Sequence, residues 1–407
     1  MRTLYRTLQI LDMRRTKIAQ VITRLDWGGS SDIVRIICAN LDKDEYDIQL
    51  IIGDTQYPRA ATEEFLNRYK DSVTIVPQLK RNIAPLEDLW ALASLYLIFK
   101  KEKFDIVHTH TAKAGFLGRL AAALAGTPVI IHTPHGHNFY GYFGKFMSAV
   151  IVFLERIMAR FTDRIIAMTE IEKMDYVKYG VANPDKIDLI YVGLELKPAG
   201  GMTTAGKDAL KKSLGAYSGE IIVAMVGRIE HIKGPHIFIE AAAIVSARLP
   251  NVKFIVVGEG GLRASLEKRV KAIGLNDRII FTGWREDAQA VISVCDIIVM
   301  PSLNEAVGMS LIEAQSMAVS VIASNVGGIP EIVKDNETAI LVKPNDYTVL
   351  ADSIYYLVLD DDLRIRMGKA GKEWVKNRFS VESMIDKTAS IYEKLSKDKS
   401  AVNVIYK

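Results

Sequence analysis

The sequence predicts an α/β fold made of two doubly wound parallel sheets that face each other across a cleft. Short apolar runs rich in β-branched residues alternate with helical patterns almost throughout the chain. Strands that are apolar at nearly every position belong to parallel sheets covered on both faces. The alternation breaks between residues 191 and 218, where Gly193, Pro198, Gly200, Gly201, Gly206 and Gly215 crowd into a stretch of weak apolar content, the signature of a linker. A length of 407 residues also exceeds what one core usually organises, roughly 100 to 200 residues.

In chain order, the strand-like runs of the first half lie at 18–22, 48–52, 106–108, 129–132 and 164–167. Those of the second half lie at 221–226, 254–257, 279–281, 297–300 and 321–323. The expected division is a basic extension over 1–16, an N-terminal Rossmann-like domain over 17–195, a C-terminal one over 196–395, and a tail over 396–407. The closing helical pattern, 381–395, is compatible with packing on either half. Ligands of such sheets bind beyond the carboxyl ends of the strands, so two facing sheets enclose a site between them.

Composition excludes several classes. Hydrophobic and charged fractions of 49% and 25% are those of an ordinary folded protein. A net charge of +4, with no basic stripe interleaved with aromatics, does not suit nucleic acid. Cys38 and Cys295 each sit in an apolar run, as buried thiols of a reducing compartment do, so cytoplasmic localisation is expected. Arg2, Arg6, Arg14 and Arg15 precede no apolar stretch with a cleavage site, unlike a secretory signal. No window reaches the roughly 18 uncharged apolar residues of a membrane span. The runs at 89–99 and 146–154 end in Lys100, Lys101 and Lys103 and in Arg156, Arg160 and Arg164. Helices of that kind can lie on anionic lipid; two core helices with solvated ends are the alternative.

Four motifs could carry chemistry. Gly28-Gly29-Ser30-Ser31-Asp32 follows the first strand and opens a helix; glycines let amides approach a phosphate, and the free amides of a helix start favour an anion. A plain turn with a serine cap explains it equally well. Arg228 and Lys233, between Gly227 and Gly234 after the strand at 221–226, can bracket a diphosphate, the first as a fork and the second as a point charge. Glu305 lies in a loop and Glu313 eight residues on in the following helix; such carboxylates accept hydrogen bonds from sugar and ribose hydroxyls, and Gly308 permits close backbone approach. His108, His110, His132, His135 and His137 cluster after two successive strands. No carboxylate or cysteine accompanies them at metal-site spacing, so no metal is expected. His135-Gly136 instead forms a turn able to offer an imidazole to a substrate hydroxyl, while His108 and His132 read as core residues. Gly258-Glu259-Gly260-Gly261 lacks the spacing of a dinucleotide fingerprint.

In order and spacing these residues resemble the retaining GT-B glycosyltransferases of family 4, over about residues 17–395. VHTHTAKAGFLGRLAA (107–122) and IHTPHGHNFYGYFG (131–144) look like members that build capsule, exopolysaccharide or O-antigen units. The resemblance implies that Gly28 and Gly29 lie near the donor phosphates and that His135 contacts the transferred sugar. It implies that Arg228 and Lys233 bind the diphosphate and stabilise the leaving group, with Glu305 on the sugar and Glu313 on the ribose. Gly327, Gly328 and Glu331 resemble the loop that follows. It further implies a nucleotide-sugar donor with uracil as base, a lipid-linked saccharide acceptor at the inner membrane surface, peripheral membrane attachment, and no cofactor or metal. Ala306, Val307, Ala318 and Ser320 depart from the family's usual glycines, aromatic and proline, which loosens inference about the donor sugar. A nucleotide-sugar epimerase or phosphorylase on the same fold and a catalytically silent binding subunit are the competing readings; a dehydrogenase lacks its fingerprint.

Overall fold

A computed structural model describes residues 14–137, 139–141, 144–196 and 202–405. Arg2 and Arg6 of the basic extension and Pro198, Gly200 and Gly201 of the linker lie outside the described residues. Among the described residues the strands form two sheets, all pairings parallel. The first comprises β1 (Thr16–Ile22), β2 (Tyr46–Ile52), β3 (Val73–Ile75), β4 (Ile106–His110), β5 (Val129–Thr133), β6 (Arg164–Ala167) and β7 (Ile187–Leu189), in the spatial order β3-β2-β1-β4-β5-β6-β7. The second comprises β8 (Ile221–Val226), β9 (Val252–Val257), β10 (Ile279–Gly283), β11 (Ile297–Met300), β12 (Ser320–Ser324) and β13 (Ala339–Val342), ordered β10-β9-β8-β11-β12-β13. Chain order reverses between β1 and β4 and again between β8 and β11, the places where doubly wound sheets open a crevice.

The sequence pattern misses β3, β7 and β13, and each is the outermost strand of its sheet. An edge strand buries less of itself, so VTI and IDL carry mixed rather than continuous apolar character, and Ile75 is 60% exposed; AILV is apolar throughout but only four residues long and half-buried at its two central positions.

Two stretches of chain cross between the lobes side by side. Leu194 N donates to Phe379 O at 3.1 Å, and a Cβ on Gly193 would lie 2.5 Å from Val381 Cα, so only glycine lets the crossings touch. The final helix, Val381–Ile405, returns to the first lobe. Its fully buried Tyr392 packs edge-on against Tyr46 of β2 and His108 of β4.

On the opposite face of the first sheet, helices Pro85–Glu102 and Lys145–Arg160 flank Ala112–Ala125. Each buries one stripe, Ala91, Leu95 and Phe99 in the first and Val152, Met158 and Ala159 in the second. The outward faces are apolar too: Leu86, Leu89, Trp90 and Leu97 on one helix and Phe146 and Phe153 on the other are exposed, Trp90 by 68% and Phe146 by 81%. Core packing with solvated ends therefore accounts for only half of each helix. Two of the flanking cations are engaged within the fold, Arg156 with Tyr179 O and Arg164 with Asp188. No helix among the described residues is long and apolar enough to cross a membrane.

Candidate functional site between the lobes

The second lobe places its cations by glycine geometry. After β8 a short 3-10 turn, His231–Lys233, ends at Gly234, whose φ of +68° is costly for other residues. A side chain at Gly234 would strike Pro301 O, so the turn is clamped against the loop that leaves β11. That clamp brings Lys233 Nζ into an ion pair with Glu305. Arg228 is held instead by Glu230, at 2.7 Å; both cations are thus tethered by carboxylates.

The loop carrying Glu305 is buttressed from below. Gly328 N donates to Glu305 O at 3.0 Å, and Gly327 and Gly328 sit so close to the carbonyls of Glu305 and Ala306 that a Cβ at either would collide. Gly308, with φ +77°, turns the chain into helix Met309–Ser316 as its N-cap without a capping side chain. Glu313 lies on that helix and accepts from Gln289 Nε2 at 3.1 Å. Burial raises its carboxyl above the usual range and Asp32 adds to this, while Gln289 and Arg59 oppose it.

The first lobe meets this segment at two points. Gly28 is the N-cap of helix Gly29–Asn40, again with no side-chain cap; Ser31 Oγ points to Arg24 O at 3.4 Å, so a serine cap is not what the motif provides. Gly29 faces Met309, and a Cβ there would run into its sulfur. The second point is the turn at His135 (φ +56°) and Gly136 (φ +96°). A Cβ on Gly136 would lie 2.7 Å from Ala306 Cβ, so the imidazole-bearing turn abuts the Glu305 loop. A narrow pocket between the lobes is lined by Gly136, His137 and Glu172 on one side and Asn304, Glu305 and Gly328 on the other.

The predicted residues thus gather along one segment, 305–313, in two groups: Lys233, Glu305 and the His135 turn at its start, and Gly28, Gly29 and Glu313 at its end. Arg228, five residues before Lys233 in the same loop, pairs with Glu230 and with none of these residues. Several participants carry no sequence signal. Arg59, in an ordinary turn, pairs with Asp32 at 3.1 Å and lies over the Trp27 ring, which places a first-lobe cation near Glu313. Trp27 stacks on Trp284 across the cleft, ring centroids 5.0 Å apart. Glu172 accepts from Gly136 N at 2.9 Å and Met168 N at 2.8 Å, and burial pushes its carboxyl up to about 7. Glu331 accepts from the amides of Glu170 and Ile171, both at 2.7 Å; a carboxylate on the start of helix Glu170–Lys178 clasps the lobes together.

Most of the histidine nitrogens are engaged with each other or with neighbouring side chains rather than converging on a common point; His132 Nε2 and His135 Nδ1 make no hydrogen bond within the protein. His110 bridges His135 (2.8 Å) and Gln20 (2.7 Å), His108 bridges Tyr392 (2.6 Å) and Thr133 (2.8 Å), His132 meets Thr109 (3.0 Å), and His137 meets Asp175 (2.9 Å). Among the described residues no group of three or more potential ligands is arranged around a metal position.

The halves of the chain match two family models, Glycosyltransferase Family 4 over residues 27–197 and Glycosyl transferases group 1 over residues 206–374. The chain is 33% identical to the Escherichia coli UDP-Gal:alpha-D-GlcNAc-diphosphoundecaprenol alpha-1,3-galactosyltransferase, over 86% of this chain and 90% of that protein. It is 28% identical to the Staphylococcus aureus capsular polysaccharide biosynthesis glycosyltransferase CapM, over 95% of this chain and 99% of that protein. Its fold is that of Anabaena HepE, solved in complex with UDP and glucose, with a TM-score of 0.79, 21% identity, and coverage of 93% of this chain and 100% of that one. With these likenesses running through both lobes and the segment between them, the chain belongs to the family 4 glycosyltransferases and has their GT-B fold.

Proposed function

We propose that this enzyme is a retaining, metal-independent hexosyltransferase that moves a sugar from a UDP-linked donor to a lipid-linked saccharide at the cytoplasmic face of a membrane, in surface polysaccharide assembly. The observation that carries the reading is the Lys233–Glu305 pair on a loop that stands against the His135-Gly136 turn, with Arg228 on the same loop as Lys233. The E. coli relative is named for transfer to a diphosphoundecaprenol-linked sugar and the S. aureus relative for capsule synthesis. The E. coli relative is also named for an alpha product, which from an α-configured donor is retention.

In the reaction the bond from the anomeric carbon to the β-phosphate oxygen breaks, and its electrons stay on the diphosphate. Arg228 and Lys233 stabilise that growing negative charge, the kind of preorganised electrostatic contribution that dominates many enzymes. An acceptor hydroxyl attacks from the face the diphosphate leaves, forming the new C–O bond, and its proton passes to the departing phosphate oxygen. Glu305 and His135 hold sugar hydroxyls, and Glu313 accepts from the ribose. No covalent nucleophile is assigned. Lobe closure through Glu331 excludes water, which would otherwise compete as acceptor.

The reading is tested by incubating the protein and a UDP-sugar panel, in EDTA, with and without a polyprenyl-diphosphate-linked sugar. Formation of an α-glycoside only with acceptor is expected; donor epimerisation without acceptor, binding without turnover, a β-product or a strict need for added divalent metal would each overturn the corresponding part. Glu313→Gln keeps the shape and removes the charge; donor dissociation, read by calorimetry, is expected to weaken about 10-fold, ~1.4 kcal/mol, with kcat little changed. An unaltered isotherm would take Glu313 out of the donor site.

A further inference from the structure

Beneath the cleft runs an unbroken line of side-chain hydrogen bonds that joins the terminal helix to the reaction centre. Tyr392 OH lies 2.6 Å from His108 Nδ1 and accepts from Gln20 Nε2 at 2.8 Å. Gln20 Oε1 is 2.7 Å from His110 Nε2, and His110 Nδ1 is 2.8 Å from His135 Nε2. Gln20, His108, His110 and Tyr392 are all fully buried, so each contact must be satisfied within the protein.

A carboxamide has a donor end and an acceptor end, and that polarity propagates. With Gln20 Oε1 toward His110, His110 Nε2 carries the proton and Nδ1 is the acceptor. His135 must then donate from Nε2, which leaves its Nδ1 unprotonated. Nδ1 of His135 is buried and makes no hydrogen bond within the protein, and it belongs to the turn that abuts Ala306 at the cleft. Burial pushes His135 and His108 down to about 3 and His110 well below its ordinary value. The line therefore stays neutral at physiological pH, and the tautomers, not the charges, are what it sets.

We propose that Tyr392 and Gln20 are positioning residues that act through His110 to hold His135 as the Nε2–H tautomer, so that its Nδ1 accepts a hydrogen bond from a hydroxyl of the donor sugar. This rests on the glycosyltransferase reading of the His135 turn. Tyr392 comes from the helix that follows the second lobe, so the last part of the chain reaches the centre from behind. A sugar that presents a hydroxyl to Nδ1 is accepted, and a deoxy analogue at that carbon leaves the nitrogen unpaired.

Two variants keep the packing and remove the directing atoms. Tyr392→Phe deletes only the hydroxyl, and Gln20→Met replaces the carboxamide by an apolar chain of similar length. In histidine-15N-labelled protein without donor, His135 is expected to show a protonated Nε2 and a bare Nδ1, and both variants are expected to give mixed tautomers. In turnover, kcat is expected to fall about 10-fold, as for loss of a buried hydrogen bond, with donor KM changed less than about 2-fold and the melting transition still cooperative. A His135 found as the Nδ1–H tautomer, or tautomer and kcat unchanged in both variants, overturns the proposal. The 15N readout needs no reaction; a correct tautomer together with a fully active His135→Ala would instead defeat the assignment of His135 to the sugar.

Discussion

Arg228→Ala is expected to lower kcat by about 10²- to 10³-fold, the cost of deleting one preorganised donor to a developing oxyanion. The guanidinium stands on the loop leaving β8 and is tethered by Glu230 at 2.7 Å. Charge on the diphosphate grows as the glycosidic bond breaks, so an interaction with the leaving group strengthens toward the transition state. Its loss should therefore appear in kcat and in kcat/KM alike, rather than in donor affinity alone. Lysine at the same position keeps the charge but not the fork, and is expected to recover only part of the rate. Glu230→Gln is a second check: releasing the tether should cost far less than removing the cation. Turnover of Arg228→Ala near that of the unaltered enzyme, with a UDP-sugar and its acceptor, would exclude the residue from leaving-group stabilisation.

Much of this geometry is written in local sequence. Central strands such as β8, IIVAMV, and β11, IIVM, are apolar on every residue because helices cover both faces, so they stand out without any tertiary information. Glycine positions were equally legible: Gly234 and Gly308 have left-handed backbones, and both flank residues of the site. What was hidden depends on contacts distant in sequence. Arg59 is an unremarkable turn residue until the fold sets it beside Asp32 and Trp27. Glu331 reads as part of a loop, yet it caps a helix of the other lobe. Tyr392 lies 372 residues from its partner Gln20, and a periodic helical pattern gives no sign of which lobe its buried face will choose. The histidine cluster shows the same limit: spacing points to one imidazole for the substrate, and only the packed structure shows His108 and His110 bonded through both ring nitrogens beneath it.

Phe146→Glu combined with Phe153→Glu is expected to weaken binding to anionic vesicles about 100-fold. Burying a phenylalanine is worth roughly 1.5 to 3 kcal/mol, so two of them withdrawn from an acyl boundary correspond to about 3 kcal/mol, or ~10²-fold in partitioning. The two residues lie on the outward face of helix Lys145–Arg160, in the same layer as the exposed Leu89, Trp90 and Leu97. Exposed Lys100, Lys101, Lys103 and Arg160 accompany them. Apolar side chains flanked by cations suit a negatively charged interface, where each cation near the surface adds about 1 kcal/mol. Two signatures separate this from ordinary surface stickiness. Binding should fall with added salt and with removal of anionic lipid, because the lysines contribute through the surface potential. The double variant should also keep its rate on a short-chain, water-soluble acceptor while losing rate on a polyprenyl-linked acceptor embedded in vesicles, because the site lies between the lobes and not on this face. Equal sedimentation of the variant and the unaltered protein with anionic vesicles would show that the apolar layer serves something other than the membrane.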